Sequence, residues 1–93
     1  MKTVKIIVRG VLRGTGFKAH IYLLAKKLRL RGYIVDEDED RELICIEGEE
    51  AQVDEFLKNI DRGPPFTLIN SIIVLEAKES CNTPTFEAYY REF

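Results

Sequence analysis

The residue types with chemistry in them gather first around Gly10-Val11-Leu12-Arg13-Gly14-Thr15-Gly16-Phe17-Lys18. This stretch follows an apolar run, Val4 to Val8, and precedes an amphipathic run that begins near Ala19. Strand, glycine-rich turn and helix start, in that order, make an anion site. Gly14 and Gly16 lack a Cβ, so the backbone can take positive φ and turn its N–H groups toward one point. The helix adds its unpaired first-turn N–H groups and a partial positive charge. Lys18 adds a full one. The loop formed by Arg13, Gly14, Thr15, Gly16, Phe17 and Lys18 is therefore expected to cradle a phosphate-sized anion. A tight turn with a surface lysine fits the same residues equally well.

Other constellations offer less. Asp36, Asp38 and Asp40 alternate and Glu47 stands at the twelfth-position spacing of a calcium loop, but Arg41 occupies the glycine position and the flanks read as strands. A solvated hairpin loop, stabilised when salt screens its five successive carboxylates, is the favoured reading. His20 is the single histidine, so no histidine-based triad or zinc cluster can be assembled, and no metal is expected. Cys45, between Ile44 and Ile46, reads as a core residue. Cys81, in a turn, has no neighbour in sequence to lower its pKa. Phe86, Tyr89 and Tyr90 suggest edge-strand and core packing, not a base-stacking platform.

The elements that must position these groups follow from periodicity. Lys2 to Leu12 reads as an interior strand, with Val4, Ile6 and Val8 on one face and Ile7 on the other. From Lys18 to Leu30, Ile21, Leu24, Ala25 and Leu28 share one helix face, cations crowd the last turn, and Gly32 supplies the stop. Gly32–Asp36 is a second strand and Leu43–Ile46 a third, ended by Gly48. A second helix runs from Glu49 to Ile60 with Val53, Phe56, Leu57 and Ile60 buried, and Gly63-Pro64-Pro65 breaks it. Ile69–Leu75 and Thr85–Tyr90 complete the strands. The order predicts an α+β, ferredoxin-like βαββαβ sandwich, an antiparallel sheet with two helices on one face and an extra C-terminal strand.

Ninety-three residues, 45% of them apolar, suffice for a single domain, 1–93, with one core. The net charge of −2 argues against nucleic acid as a partner. No run is long enough to span a membrane, and Met1-Lys2-Thr3 opens into strand pattern. Two cysteines suit a reduced compartment better than a disulfide framework, so the expected location is the cytoplasm; separately, the chain is expected to be a monomer.

Val8-x-Gly10-x-Leu12-x-Gly14-x-Gly16-Phe17-Lys18 resembles the acylphosphatase signature V-x-G-x-V-Q-G-V-G-F-R. Gly32-Tyr33-Ile34-Val35-Asp36 resembles the second motif, G-[WY]-V-x-N, and Gly48, Val53, Phe56 and Gly63-Pro64-Pro65 fit the family's later spacing. The likeness is collinear over almost the whole chain. It implies hydrolysis of the carboxyl–phosphate bond of acyl phosphates, with no metal, cofactor or covalent intermediate. In the family, loop N–H groups and an arginine hold the phosphate, and an asparagine positions the water.

Carried over, the catalytic positions are Lys18 and Asp36, and both depart from the pattern. Lys18 lacks the planar fork of arginine. Asp36, if ionised, repels a phosphate by about 4 kcal/mol per unit charge at ~4 Å and intermediate dielectric. Weakened or absent hydrolysis is expected. Asp36 could pair with Lys18, leaving the cradle to backbone alone, or act as a general base. Two alternatives stand beside the enzyme: a non-catalytic anion-binding or interaction domain, and an accessory to carbamoyl-phosphate chemistry. The latter follows from a resemblance of His20 to Lys26 to the N-terminal domain of the carbamoyltransferase that matures nickel–iron hydrogenases.

Overall fold

The computed structural model describes residues 1–91. Its elements are β1 (Lys2–Val11), α1 (Phe17–Lys27), β2 (Arg31–Asp38), β3 (Arg41–Gly48), α2 (Glu50–Asn59), β4 (Leu68–Glu76) and β5 (Phe86–Tyr89). The five strands form one sheet in the order β4-β1-β3-β2-β5. Period-two burial explains the layering. Val4, Ile6 and Val8 of β1, Ile34 of β2 and Ile44 and Ile46 of β3 all turn into one core, where they meet Phe17, Ile21 and Ala25 of α1 and Val53 and Phe56 of α2. Ile60, just past α2, and Phe86 close that core, while Leu24, Leu28 and Leu57 pack at its margin.

The ferredoxin-like α+β sandwich expected from the element order is the fold observed: β1 to β4 form the antiparallel sheet, and the extra strand β5 makes it mixed by lying parallel to β2, with Gly32 opposite Phe86 and Val35 opposite Tyr89. Strand β4 ends where β1 and β2 begin, with the Ala77 N–H donating to the Thr3 carbonyl at 3.0 Å. Residues 77–85 cross the sheet at that end, so β5 starts beside the start of β2 and runs with it.

Two expectations are corrected. Helix α1 stops at Lys27 rather than Leu30, and Gly32 is not its terminator. Arg29 takes the left-handed conformation, φ 57, and the N–H groups of Arg29 and Leu30 return to the carbonyls of Lys26 and Ala25 at 3.1 and 2.9 Å. Gly32 lies within β2 at φ 136, where a Cβ would stand 1.8 Å from the Cys45 carbonyl oxygen.

The cysteines are not free. Cys45 and Cys81 form a disulfide with Cα atoms 5.9 Å apart. Cys45 alternates with Ile44 and Ile46, so it faces away from the helices. It is buried by the crossover that carries Cys81, not by the core. Cys81 is therefore not a titratable thiol, and the argument from free cysteines to a reduced compartment falls with it. Among the described residues, no helix is long and apolar enough to cross a membrane.

Candidate functional site

The C-terminal ends of β1, β2 and β5, the start of β3 and the N-terminus of α1 all meet at one end of the sheet. The loop between β1 and α1 crowns this end. Gly14 and Gly16 have φ of 74 and 87, and Gly16 is the N-cap of α1. At Gly14 a Cβ would meet nothing within 4 Å, so the demand there is conformational rather than steric. Thr15 holds the loop's shape. Its hydroxyl donates to the Leu12 carbonyl at 2.5 Å and accepts from the Phe17 N–H at 3.3 Å and the Thr67 hydroxyl at 2.9 Å. The first helical repeat is the His20 N–H to the Gly16 carbonyl, 3.0 Å. The N–H groups of Lys18 and Ala19 therefore belong to the open first turn.

The floor is ionic. Asp36 and Glu42 are directly opposite one another in the β2–β3 register. They share the inward face of Ile34 and Ile44, so two carboxylates meet across the strands in a buried position, an arrangement that repels unless a cation intervenes. Lys18, one residue into α1, supplies it: Nζ lies 2.8 Å from Asp36 Oδ1 and 2.8 Å from Glu42 Oε1. All three residues are less than a tenth exposed.

Tyr90 and Arg91, just past β5, complete the enclosure. The Arg91 N–H donates to Asp36 Oδ2 at 3.1 Å, and the Arg91 carbonyl accepts from Arg13 Nη2 at 2.8 Å. The Tyr90 ring stands over the Lys18 ammonium, 5.0 Å from centroid to Nζ. Together these groups wall a cavity of about 320 Å³, with Arg13, Gly14, Gly16 and Phe17 at its rim and Lys18, Asp36 and Glu42 below.

The two acids are not equivalent. Burial alone would push the Asp36 carboxyl up, but the Lys18 ammonium, the Arg91 N–H and the Arg13 guanidinium together hold it below the usual carboxylate range. Burial dominates at Glu42 and raises it, and the charge on Asp36 adds to the rise despite Lys18. Asp36 is the ionised partner of Lys18, and Glu42 is the acid on which a proton is least costly.

Of the pattern-derived residues, Arg13, Gly14, Gly16, Phe17, Lys18 and Asp36 line one cavity, and Thr15 buttresses its loop from behind. The calcium-loop set is dispersed. Asp38 pairs with Arg41 at 3.0 Å, Asp40 lies 3.9 Å from Arg9, and Glu47 stands at the far end of β3, accepting from Thr3 and Ser80. His20 packs toward α2, its Nε2 3.0 Å from the Asn59 carbonyl. Among the described residues, no group of three or more acidic, histidine or cysteine side chains is placed to hold a metal ion.

Glu42, Tyr90 and the Arg91 main chain were not expected here. Glu42 did leave a signal: it stands two residues before Ile44, an acid at an inward position of an alternating strand. Tyr90 lies beyond β5 and packs on the site rather than in the core.

Comparison with known proteins agrees with the geometry. The acylphosphatase family model matches residues 4–88. The acylphosphatase of Thermotoga petrophila is 34% identical over 76 residues, covering 82% of this chain and 84% of its own. The crystal structure of the Bacillus subtilis acylphosphatase superposes with a TM-score of 0.88 at 30% identity, covering 97% of this chain and 100% of that one. Full-length HypF, solved in a phosphate- and nucleotide-bound form, matches with a TM-score of 0.85 at 26% identity over 95% of this chain but 12% of its own. Model, relatives and fold converge: the chain belongs to the acylphosphatase family.

Proposed function

We propose that the chain binds a phosphate-sized anion in the Arg13–Lys18 loop and hydrolyses acyl phosphates weakly. The observation that carries this reading is the buried Lys18–Asp36–Glu42 cluster. The loop keeps what binding needs: left-handed glycines, open first-turn N–H groups and the Arg13 guanidinium at the rim. The floor has changed. Lys18 stands where the family pattern has arginine and is held by two carboxylates, so its charge is largely neutralised before any phosphate arrives. Asp36 stands where the pattern has asparagine and can accept a hydrogen bond from water but not donate one while ionised.

Hydrolysis here is attack of a water oxygen on phosphorus. The bond from phosphorus to the acyl oxygen breaks, the carboxylate leaves with the electron pair, and inorganic phosphate remains. In this reading Asp36 takes the water proton. The cost is its own charge beside the phosphate, about 4 kcal/mol at ~4 Å and intermediate dielectric.

The same cluster supports a second reading, a non-catalytic anion-binding domain whose cradle is backbone alone. Benzoyl phosphate hydrolysis separates the two. The wild type should turn over slowly. Lys18→Arg with Asp36→Asn should help only partly, because Glu42 remains to capture the guanidinium. Adding Glu42→Gln should release it and raise kcat/KM at least tenfold, about 1.4 kcal/mol of transition-state stabilisation. Fast wild-type turnover lost in Asp36→Asn would make Asp36 an effective general base and overturn the charge argument. No turnover by any folded variant would leave the binding domain.

A further inference from the structure

Strand β4 is the open edge of the sheet beside β1, and its sequence does nothing to blunt that edge. From Leu68 to Leu75 it carries no charge and no proline, two devices that ordinarily keep an edge from pairing. Both of its faces are apolar and uncovered. Ile72 and Val74 lie on the helix side, opposite Val8 and Ile6, yet remain 38% and 45% exposed. Ile73 and Leu75, on the other face, are 50% and 52% exposed.

The hydrogen-bonding direction of each residue follows from the register. The Ala77 N–H donates to the Thr3 carbonyl, and the pairing continues from there as Leu75 with Lys5, Ile73 with Ile7 and Ser71 with Arg9. Every second pair of an antiparallel ladder is hydrogen-bonded, so Ser71, Ile73 and Leu75 turn their N–H and C=O groups to β1. Ile72 and Val74 turn theirs outward. Asn70 is the extra residue where the register shifts between Arg9 and Gly10, so the regular part of the edge is 71–75.

We propose that a second copy of this chain adds its own β4 to this edge, antiparallel, about a two-fold axis through Ile73. In that register Ile72 exchanges hydrogen bonds with Val74 of the second copy, and Val74 with its Ile72. Ile73 meets its own counterpart and Ser71 faces Leu75. Neighbouring registers are worse. Centring on Val74 would set Ile72 against Glu76, and centring on Ile72 would set Val74 against the bulge at Asn70. The chosen register also extends an existing pattern. Val35, Leu43, Ile7 and Ile73 lie side by side across β2, β3, β1 and β4, and the axis joins two such apolar rows end to end. Glu76, the first charge past the segment, falls beside Asn70 of the second copy, an amide that can donate to it. No like charges meet along the seam. Each β4 edge is consumed by the other, so the contact is isologous and closes at two. Five paired residues span about 17 Å, a small interface, which suits a dissociation constant of about 10–100 µM and a monomer when dilute.

Sedimentation equilibrium of the full chain from about 5 to about 500 µM should show a monomer giving way to a dimer and nothing larger. Amide hydrogen exchange by NMR at the two ends of that range locates the seam. Ile72 and Val74 should gain about tenfold protection on concentration, while Ile73 and Leu75, already bonded to β1, should gain little. Ile73→Lys places two ammonium groups on the axis and should weaken association at least tenfold. Val74→Pro removes an outward N–H that only the second copy uses and should do the same, which keeps the test open if Ile73→Lys fails to fold. Circular dichroism identifies the folded variants. A chain still monomeric at the highest concentration, or one that grows past the dimer, overturns the proposal. So does a dimer whose added protection lies elsewhere or falls equally on all four residues, or one that survives in every folded variant.

Discussion

Removing the Lys18 ammonium should unsettle the fold far more than an ordinary helix-surface change. Lys18→Met keeps the length and apolar character of the stem, so packing is nearly conserved and the charge alone is lost. What remains is Asp36 and Glu42, 2.8 Å from where the ammonium stood, with side chains 3% and 2% exposed. Breaking a buried pair by deleting one partner costs about 3–5 kcal/mol. In a domain of this size that corresponds to a fall in Tm of about 15–30 °C at pH 7.5.

The loss should depend on pH, with a definite sign. In the wild type, Asp36 has its carboxyl lowered from 3.8, so its contribution is present above that value and fades as pH falls through the lower, folded one. In Lys18→Met both acids are buried beside each other without a cation, so their folded pKa values rise above the unfolded ones. Such groups destabilise the fold fully above the raised values and release it as pH falls toward 4. Down to pH 4 the gap should therefore shrink from the variant's side, since the wild-type Asp36 contribution fades only below 3.8. Thermal unfolding of both, followed by circular dichroism from pH 4 to 8, measures it. A loss under about 1 kcal/mol, or one of equal size at both ends of that range, would refute the buried-cluster argument.

Other outcomes follow from single features. Glu42→Gln removes a desolvated acid whose pKa is raised from 4.5 and should leave stability at pH 7.5 unchanged or increased, with any gain gone by pH 4; denaturant midpoints across pH would show it, and a large loss at neutral pH would contradict the assigned protonation. Opening the Cys45–Cys81 bridge, which spans 36 residues, should cost about 4 kcal/mol in the chain-entropy view, read as a lower Tm in reductant or in Cys81→Ser. Gly32→Ala should cost more than about 2 kcal/mol, since its Cβ would fall 1.8 Å from the Cys45 carbonyl oxygen; a urea midpoint close to wild type would refute the close approach. Salt should shift Tm by no more than about 2 °C between low and physiological ionic strength, because Arg9 and Arg41 already accompany the acidic hairpin; a clear rise would restore the bare-repulsion reading.

Element order and the buried faces were legible because they rest on local period. The inward residues of β1 and both helices can be read from Val4, Ile6, Val8, Ile21, Ala25, Val53 and Phe56 without any tertiary information. The direction of β5 was not legible. It depends on where the 77–85 crossover emerges, a long-range matter that alternation within Phe86–Tyr89 does not encode. The helix stop was misassigned because glycine is the usual left-handed residue, and here Arg29 takes that conformation. The disulfide was missed because Cys45 fits an apolar strand equally well as a core residue; which face it occupies is decided by Ile44 and Ile46. In the site, the loop was readable because a contiguous segment makes it. The floor was not, because Glu42 joins Lys18 only through the pairing of β2 with β3.

The register also changes how the departures from the family pattern should be understood. Taken singly, an aspartate at position 36 places an acid at the end of a buried strand face, and a lysine at position 18 loses a two-pronged contact. Taken with Glu42, they form one unit. Asp36 and Glu42 face each other across β2 and β3, and Lys18 is the cation that makes their pairing tolerable. Losing Lys18 leaves two like charges in a desolvated place, whereas losing either acid leaves Lys18 paired with the other. An arginine at position 18 would still find Glu42, an asparagine at position 36 would leave Lys18 to Glu42, and a glutamine at position 42 would leave the Lys18–Asp36 pair intact. The three positions must therefore be varied together, and their effects on anion affinity and turnover should be non-additive. A full cycle of single, double and triple variants at positions 18, 36 and 42, read as phosphate affinity, provides the decisive measurement. Additive changes within about 0.5 kcal/mol would mean that the phosphate senses each residue separately, and the single-unit argument would be wrong.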